Sequence, residues 1–305
     1  MRLAVTGREG QVAASLLEAG QRQDGVEVIA VGRPQLDLAR PDTVIEALEA
    51  SRPDLVVSAA AYTAVDQAED EPDAAFAVNA LGAGKVAEAA ARLGVPVIHL
   101  STDYVFDGSA AGAYVETDKT APRSAYGASK LAGEQAVATA NPRHLILRTA
   151  WVYSPFGKNF VKTMLRLAAD QDEIAVVADQ WGNPTSALDI ADAILHSARM
   201  LHDNRAFASF GVYHLAGTGE INWSGFARHI LDTSRAFGGP YARVRDIATE
   251  DYPTKARRPR NSRLSTEKFA ATFEWNAPEW RDATELVVAH LVGHRSRAGD
   301  RRNTN

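Results

Sequence analysis

The sequence predicts an α/β fold: a doubly wound parallel sheet over residues 1–150, followed by a smaller C-terminal lobe. Short β-branched runs alternate with helical patterns along the first half, as expected of strands joined by covering helices. Those runs are continuously apolar rather than alternating, which suits strands buried on both faces. Beyond Trp151 the alternation turns irregular and richer in Pro, Trp and Arg.

Residues 2–5 read as the first strand, and 11–19 as a helix with Val12, Leu16 and Leu17 on one face. Residues 26–31 form the second strand. The helix at 41–51 has Pro41 near its start and Asp42 adding early negative charge. A third strand at 55–58 leads to a long Ala-rich helix at 74–93, and a fourth at 97–100 to a helix at 126–140. A fifth strand covers 144–148. The lobe is expected over 151–293, with some segments returning to the sheet, and 294–305 as a frayed tail with four Arg and one Asp.

The 305 residues include 33 Lys+Arg against 38 Asp+Glu, a formal net charge of -5, and no cysteine. An acidic balance gives no general attraction to nucleic acid or to anionic membranes, so neither is expected as a partner. Without cysteine there is no disulfide, thiolate nucleophile or sulfur-bound zinc. No apolar run is long enough for a signal peptide or a bilayer span, and the cytoplasm is the default. The sequence leaves quaternary state open and is compatible with a homodimer.

Between the first strand and first helix lies Thr6-Gly7-Arg8-Glu9-Gly10-Gln11-Val12-Ala13. Such a turn can seat a dinucleotide pyrophosphate on the free N–H groups and positive dipole of the helix start, which gives the sheet its Rossmann-type reading. Gly7 and Gly10 allow close backbone approach, and Ala13 replaces a third glycine. The spacing departs from G-x-G-x-x-G, and an ordinary βα turn is the competing reading. After the second strand, Arg33 stands where NAD-preferring sites usually carry an acid. It reads either as a partner for the 2′-phosphate of NADPH or as a solvent-facing loop residue. Asp37 and Leu38 lie within reach of an adenine.

Tyr126 and Lys130 stand four residues apart, hence on one helical face. A free tyrosine has a pKa of about 10, and a neighbouring cation favours phenolate. The pair alone could be a surface feature of an amphipathic helix. Thr102, at the C-terminal end of the fourth strand where open α/β sheets collect ligands, raises its significance. A Thr102 hydroxyl holding a carbonyl oxygen beside the Tyr126 phenol, with Lys130 behind, makes a carbonyl reductase site.

With these residues in hand, the chain resembles the extended short-chain dehydrogenase/reductases, and among them the dTDP-4-dehydrorhamnose reductase family. The resemblance runs over most of residues 1–290. It rests on Gly-Arg-Glu-Gly-Gln-Val at 7–12, Ala-Ala-Ala-Tyr-Thr-Ala-Val-Asp at 59–66 and Ser-Thr-Asp-Tyr-Val-Phe-Asp-Gly at 101–108. Further blocks are Tyr-Gly-Ala-Ser-Lys-Leu-Ala-Gly-Glu at 126–134, Arg-Thr-Ala-Trp-Val-Tyr at 148–153 and Gly-Lys-Asn-Phe at 157–160. Asp-Gln-Trp-Gly-Asn-Pro-Thr at 179–185 and Arg-Pro-Arg-Asn-Ser at 258–262 complete it.

The resemblance implies reduction of the 4-keto group of dTDP-4-dehydro-L-rhamnose by NADPH, or by NADH, to give dTDP-L-rhamnose. By the same resemblance Tyr126 is the proton donor, Lys130 its ribose-binding partner and Thr102 the carbonyl-orienting hydroxyl. Asp103 and Trp151 line the sugar, with Val65 as an apolar contact. Gln11, Val12, Ala60, Ala61 and Tyr62 fall where the family holds the cofactor. Ala150 departs from the Ser found in many members. The resemblance also admits a cofactor-binding regulatory protein like the methionine adenosyltransferase regulatory subunit, a reductase of another 4-keto-6-deoxy sugar nucleotide, or an epimerase or dehydratase. Thr102-Asp103-Tyr104 lacks the Asp-Glu pair of the dehydratases.

The basic stretch Lys255, Arg257, Arg258, Arg260 and Arg263 suits the substrate pyrophosphate, with Arg258 among the candidates, or else a solvated loop against acidic neighbours. His290 and His294 have a metal-compatible spacing, but Gly293 interrupts that turn and no glutamate follows His290. Glu69 to Asp73 reads as an acidic helix start around Pro72. No metal is expected.

Overall fold

The computed structural model describes the backbone of residues 1–204 and 206–300, with side chains up to Gly293. Five strands, β1 (Arg2–Thr6), β2 (Glu27–Val31), β3 (Leu55–Ser58), β4 (Val97–Thr102) and β5 (His144–Thr149), alternate with helices. These are α1 (Gln11–Gln21), α2 (Asp42–Ser51), α3 (Pro72–Phe76), α4 (Ala83–Arg92) and α5 (Ala125–Ala140). The sheet runs β2-β1-β3-β4-β5 and then the strand Gly211–His214, all parallel. The order reverses between β1 and β3, so a crevice opens above their C-terminal ends.

Every residue of β3 and β4 is buried, which accounts for their unbroken apolar runs. On one face, Val12 and Leu16 of α1 pack with Ile190 and Ile194 of the helix Ala187–Asp203 and with Phe269 and Phe273. On the other, Val44 and Leu48 of α2 meet Val86, Ala87 and Ala90 of α4 and Val137 of α5. The alanines of α4 permit close helix contact, and a Cβ at Gly84 would sit 3.0 Å from the Ala136 Cβ.

The long helix expected at 74–93 is broken. Between α3 and α4 the residues Ala77–Gly82 form a π-helical turn. Its reason is Asn79, buried and turned inward: Oδ1 accepts from Tyr62 N at 2.8 Å, and Nδ2 donates to Tyr62 O and to Ser129 Oγ at 3.0 and 2.9 Å. At the same place Gly133 of α5 lies where a Cβ would be 2.1 Å from the Asn79 carbonyl oxygen. The widened turn thus fastens the segment after β3 to α5. Such insertions often mark functional sites.

The second lobe has its own core of Tyr153, Val161, Phe226, Ile230, Trp280 and Val287. Residues beyond 150 also return to the first sheet, through the Gly211–His214 strand and the Ala187–Asp203 helix. Gln11 ties the two together. Its Nε2 donates to Val152 O at 3.3 Å, and its Oε1 accepts from Ser154 Oγ and Asn159 Nδ2 at 2.9 and 3.0 Å. The last helix runs Trp280–Asp300. Of the tail expected at 294–305, the side chains throughout, and the backbone from 301, lie outside the described residues, as does the side chain of His294. No described helix is long and apolar enough to cross a membrane.

Candidate active site

At the crevice, Gly7 adopts φ 91°, a left-handed conformation that glycine tolerates. Thr6 Oγ1 accepts from the backbone N of Ala59 and Ala60, each at 3.0 Å, which draws the loop after β3 onto the end of β1. A Cβ at Gly7 would already be 3.4 Å from the Ala60 Cβ. The N-terminus of α1 has no side-chain cap and no acidic residue in its first turn, and a Cβ at Gly10 would meet no protein atom within 4 Å. Free N–H groups facing open space at a switch point fit a dinucleotide pyrophosphate. Val12 and Ala13 are buried against the sheet, while Ala60, Ala61 and Tyr62 stay half-buried at the rim.

Beyond β2, Arg33 is exposed, and Arg8 Nη2 donates to Gln35 Oε1 at 2.9 Å. Asp37 Oδ1 accepts from Ala39 N at 3.0 Å. Leu38 departs from the expectation. Its side chain is buried in the core beside Leu36, close enough to Gly82 that a Cβ there would be 2.7 Å away.

The catalytic candidates converge at the end of β4. Ser124 Oγ caps α5 by accepting from Gly127 N at 3.1 Å, and Glu69 Oε1 accepts from Ala125 N at 2.8 Å. A Cβ at Gly127 would be 2.2 Å from the Tyr104 carbonyl oxygen, so glycine lets the start of α5 rest on the turn Asp103–Val105. There the Tyr126 ring meets Tyr104 edge-on, with centroids 5.6 Å apart. Thr102 Oγ1 accepts from Tyr104 N at 3.2 Å and donates to Asp103 Oδ1 at 3.1 Å.

Burial pushes the Tyr126 phenol up to about 12, against the Thr102 hydroxyl, which favours phenolate. The sequence led us to expect a phenol lowered by Lys130. Instead the Lys130 Nζ is anchored beneath β4, donating to Leu100 O at 2.6 Å with His99 Nε2 at 3.5 Å, and burial dominates at the phenol. Burial also brings Lys130 down to about 8, opposed by the Glu134 carboxylate. Asp103 is buried and pushed up to about 6, with the nearby Ser262 and Thr102 hydroxyls acting the other way. One of its oxygens, Oδ2, has no protein partner, and neither has Thr149 Oγ1 on the neighbouring strand. Orphaned polar atoms at this depth are uncommon and suit a polar ligand.

Behind these groups sits a bracket that sequence reasoning missed. Glu134, one turn beyond Lys130, accepts from Arg148 Nε and Nη2 at 2.9 and 2.7 Å and from Ser101 Oγ at 2.5 Å. Both charged side chains are about 5% exposed. They lock α5, β4 and β5 in register around the site. The i,i+4 spacing of Lys130 and Glu134 was visible, but pairing with Arg148 depends on strand order.

On the substrate side, Trp151 holds φ 50° and stacks on Trp223 with centroids 3.6 Å apart. A Cβ at Gly182 would be 2.6 Å from the Trp151 indole, so glycine makes room for that ring. Trp223 carried no sequence signal. Val65 is half-buried. The basic cluster is matched by carboxylates: Arg258 with Asp66 at 2.7 Å, Lys255 with Asp70, Arg260 with Glu250 at 3.6 Å and Arg263 with Glu220 at 3.1 Å. Arg257 and Arg258 nonetheless line, with Arg123, Arg260 and Tyr252, a surface cleft of about 480 Å³.

Residues 1–292 match the family model described as the RmlD substrate binding domain. A dTDP-4-dehydrorhamnose reductase of Sinorhizobium fredii is 52% identical over 96% of this chain and 98% of its own length. That of Escherichia coli is 42% identical, covering 95% of this chain and 98% of its own. Among solved structures, the Bacillus anthracis dTDP-4-dehydrorhamnose reductase in complex with NADP superposes with a TM-score of 0.87 at 34% identity, over 95% of this chain and 99% of that one. By the family model over nearly its whole length and by these relatives, the chain belongs to the dTDP-4-dehydrorhamnose reductase family.

Proposed function

We propose that this chain reduces the 4-keto group of dTDP-4-dehydro-L-rhamnose to the alcohol of dTDP-L-rhamnose with NADPH. The observation that carries the reading is a neutral, half-buried Tyr126 phenol beside the Thr102 hydroxyl at the C-terminal end of β4. Gly7, Gly10, Gln11 and Val12 would hold the cofactor pyrophosphate, Ala60, Ala61 and Tyr62 its nicotinamide side, and Lys130 its ribose. When bound, NADPH supplies the hydride to the carbonyl carbon.

The protein's own part is binding and proton transfer. Thr102 orients the keto oxygen by hydrogen bonding. Tyr126 then donates its phenolic proton to that oxygen as it becomes basic, and a phenol near 12 is fully loaded with its proton at neutral pH. Lys130 in its ammonium form would hold the ribose, and the Thr102 hydroxyl favours the phenolate that remains. Asp103 and Trp151 would bound the sugar, and Arg258, which lines the surface cleft, would meet the nucleotide diphosphate.

Purified protein given NADPH and the keto-sugar nucleotide should oxidise NADPH and yield the 4-hydroxy sugar. Absence of substrate-dependent NADPH loss sinks the reading. Because Lys130 must stay charged, kcat should fall as pH rises through about 8, where the ammonium is lost. A pH–rate profile flat from neutrality to well above that value would remove Lys130 from this role. Arg33, exposed at the end of β2, reads the 2′-phosphate. Arg33→Ala should raise the KM for NADPH roughly tenfold and leave that for NADH unchanged, whereas equal effects on both cofactors would reject the assignment.

A further inference from the structure

β4 is buried on both faces. Ile98 and Leu100 point into the core beside α1, and the intervening His99 faces α5. His99 is 1% exposed. Its Nδ1 lies 3.0 Å from Oγ of Ser58, its register partner on β3, and its Nε2 lies 3.5 Å from Lys130 Nζ. A histidine in such a place needs both ring nitrogens accounted for.

We infer that His99 is a positioning residue for Lys130, a neutral imidazole that accepts a hydrogen bond from the ammonium and holds it against the end of β4. This deepens the reductase reading and rests on it. Neutral imidazole offers one N–H and one lone pair. Only the tautomer with the proton on Nδ1 presents an acceptor to Lys130; the ammonium, which can only donate, selects it, and Ser58 Oγ, 3.0 Å from Nδ1, accommodates it by accepting. Burial and the adjacent ammonium both hold His99 well below the usual histidine range, so the ring stays neutral. Of the three Lys130 donors, Leu100 O takes one and His99 Nε2 a second, leaving one for a ligand. Tyr126 and Glu134 stand one turn before and one turn after Lys130 on its own helix, and Arg148 of β5 is held by that glutamate.

The test is His99→Leu against His99→Gln, whose amide oxygen restores an acceptor. In His99→Leu, kcat should fall ~10-fold, the NADPH dissociation constant should rise, and the basic limb of the pH–rate profile should move ~0.5 pH unit or more toward lower pH, since the ammonium has lost an acceptor. His99→Gln should recover most of both effects. An unmoved basic limb in His99→Leu, or equal impairment of both variants with that limb unchanged, overturns the inference. Should the leucine variant fail to fold, Ser58→Ala carries the test, with a smaller shift in the same direction expected and an unmoved profile counting against it. If the unmutated protein does not turn over the keto-sugar, the reductase reading fails. NADPH binding followed by fluorescence across pH in the same variants still decides the role of His99.

Discussion

Tyr126→Phe is expected to lower kcat by about 10²–10⁴-fold while leaving NADPH affinity close to that of the unmutated protein. The substitution removes one oxygen and little else. The ring keeps its edge-on contact with Tyr104, and α5 keeps its cap from Ser124 and its contact through Gly127. What disappears is the proton that the keto oxygen requires. Thr102 still offers a hydroxyl, but it is a neutral hydrogen-bond donor already shared with Asp103, whose own carboxyl, pushed up only to about 6, is mostly ionised at neutral pH. Steady-state kinetics paired with NADPH fluorescence titration reads the two effects separately. Near-normal turnover would take the proton-donor role away from Tyr126.

Glu134→Ala is expected to cost about 3–5 kcal/mol of stability and to abolish most activity with it. The carboxylate is the partner of a guanidinium that is about 5% exposed, and its loss leaves Arg148 charged in the interior. Arg148 already has one nitrogen, Nη1, without a hydrogen-bond partner, and rests over the Phe106 ring at 5.1 Å. Removing both charges should be milder: Glu134→Leu with Arg148→Met should recover much of the loss, because a buried pair replaced by apolar groups of similar volume is often neutral. Denaturant midpoints of the single and double variants check this. A single variant within about 1 kcal/mol of the unmutated protein would mean that the bracket does not hold the sheet and α5 together.

Much of this was legible in the sequence because it is local. The phosphate turn is contiguous, Tyr126 and Lys130 share a helical face, and five strands announced themselves as apolar runs. What escaped depends on register between distant segments. Arg148 meets Glu134, and His99 meets Ser58, only once β3, β4 and β5 are aligned. The π turn at Ala77–Gly82 follows from a tertiary hydrogen bond of Asn79, to which helix propensity is blind. The basic stretch at 255–263 left two readings open, a diphosphate site or a loop against acidic neighbours, for a different reason. Its charges were real, but the carboxylates that balance them lie up to 192 residues away in sequence, as between Arg258 and Asp66.

The Gln11 amide and the returning strand Gly211–His214 bear on how modular the molecule is. A cut after residue 150 looks natural along the chain and is unnatural in space. It would strip β5 of its outer neighbour and leave a long apolar edge open to pairing with other chains. It would also remove Val152, Ser154 and Asn159, the groups that hold the first residue of α1 in place. The half that would grip the cofactor is therefore finished by the half that would grip the sugar. Neither could be borrowed, swapped or expressed as a self-sufficient cassette, and recombination between relatives has to respect an interlock rather than a linker.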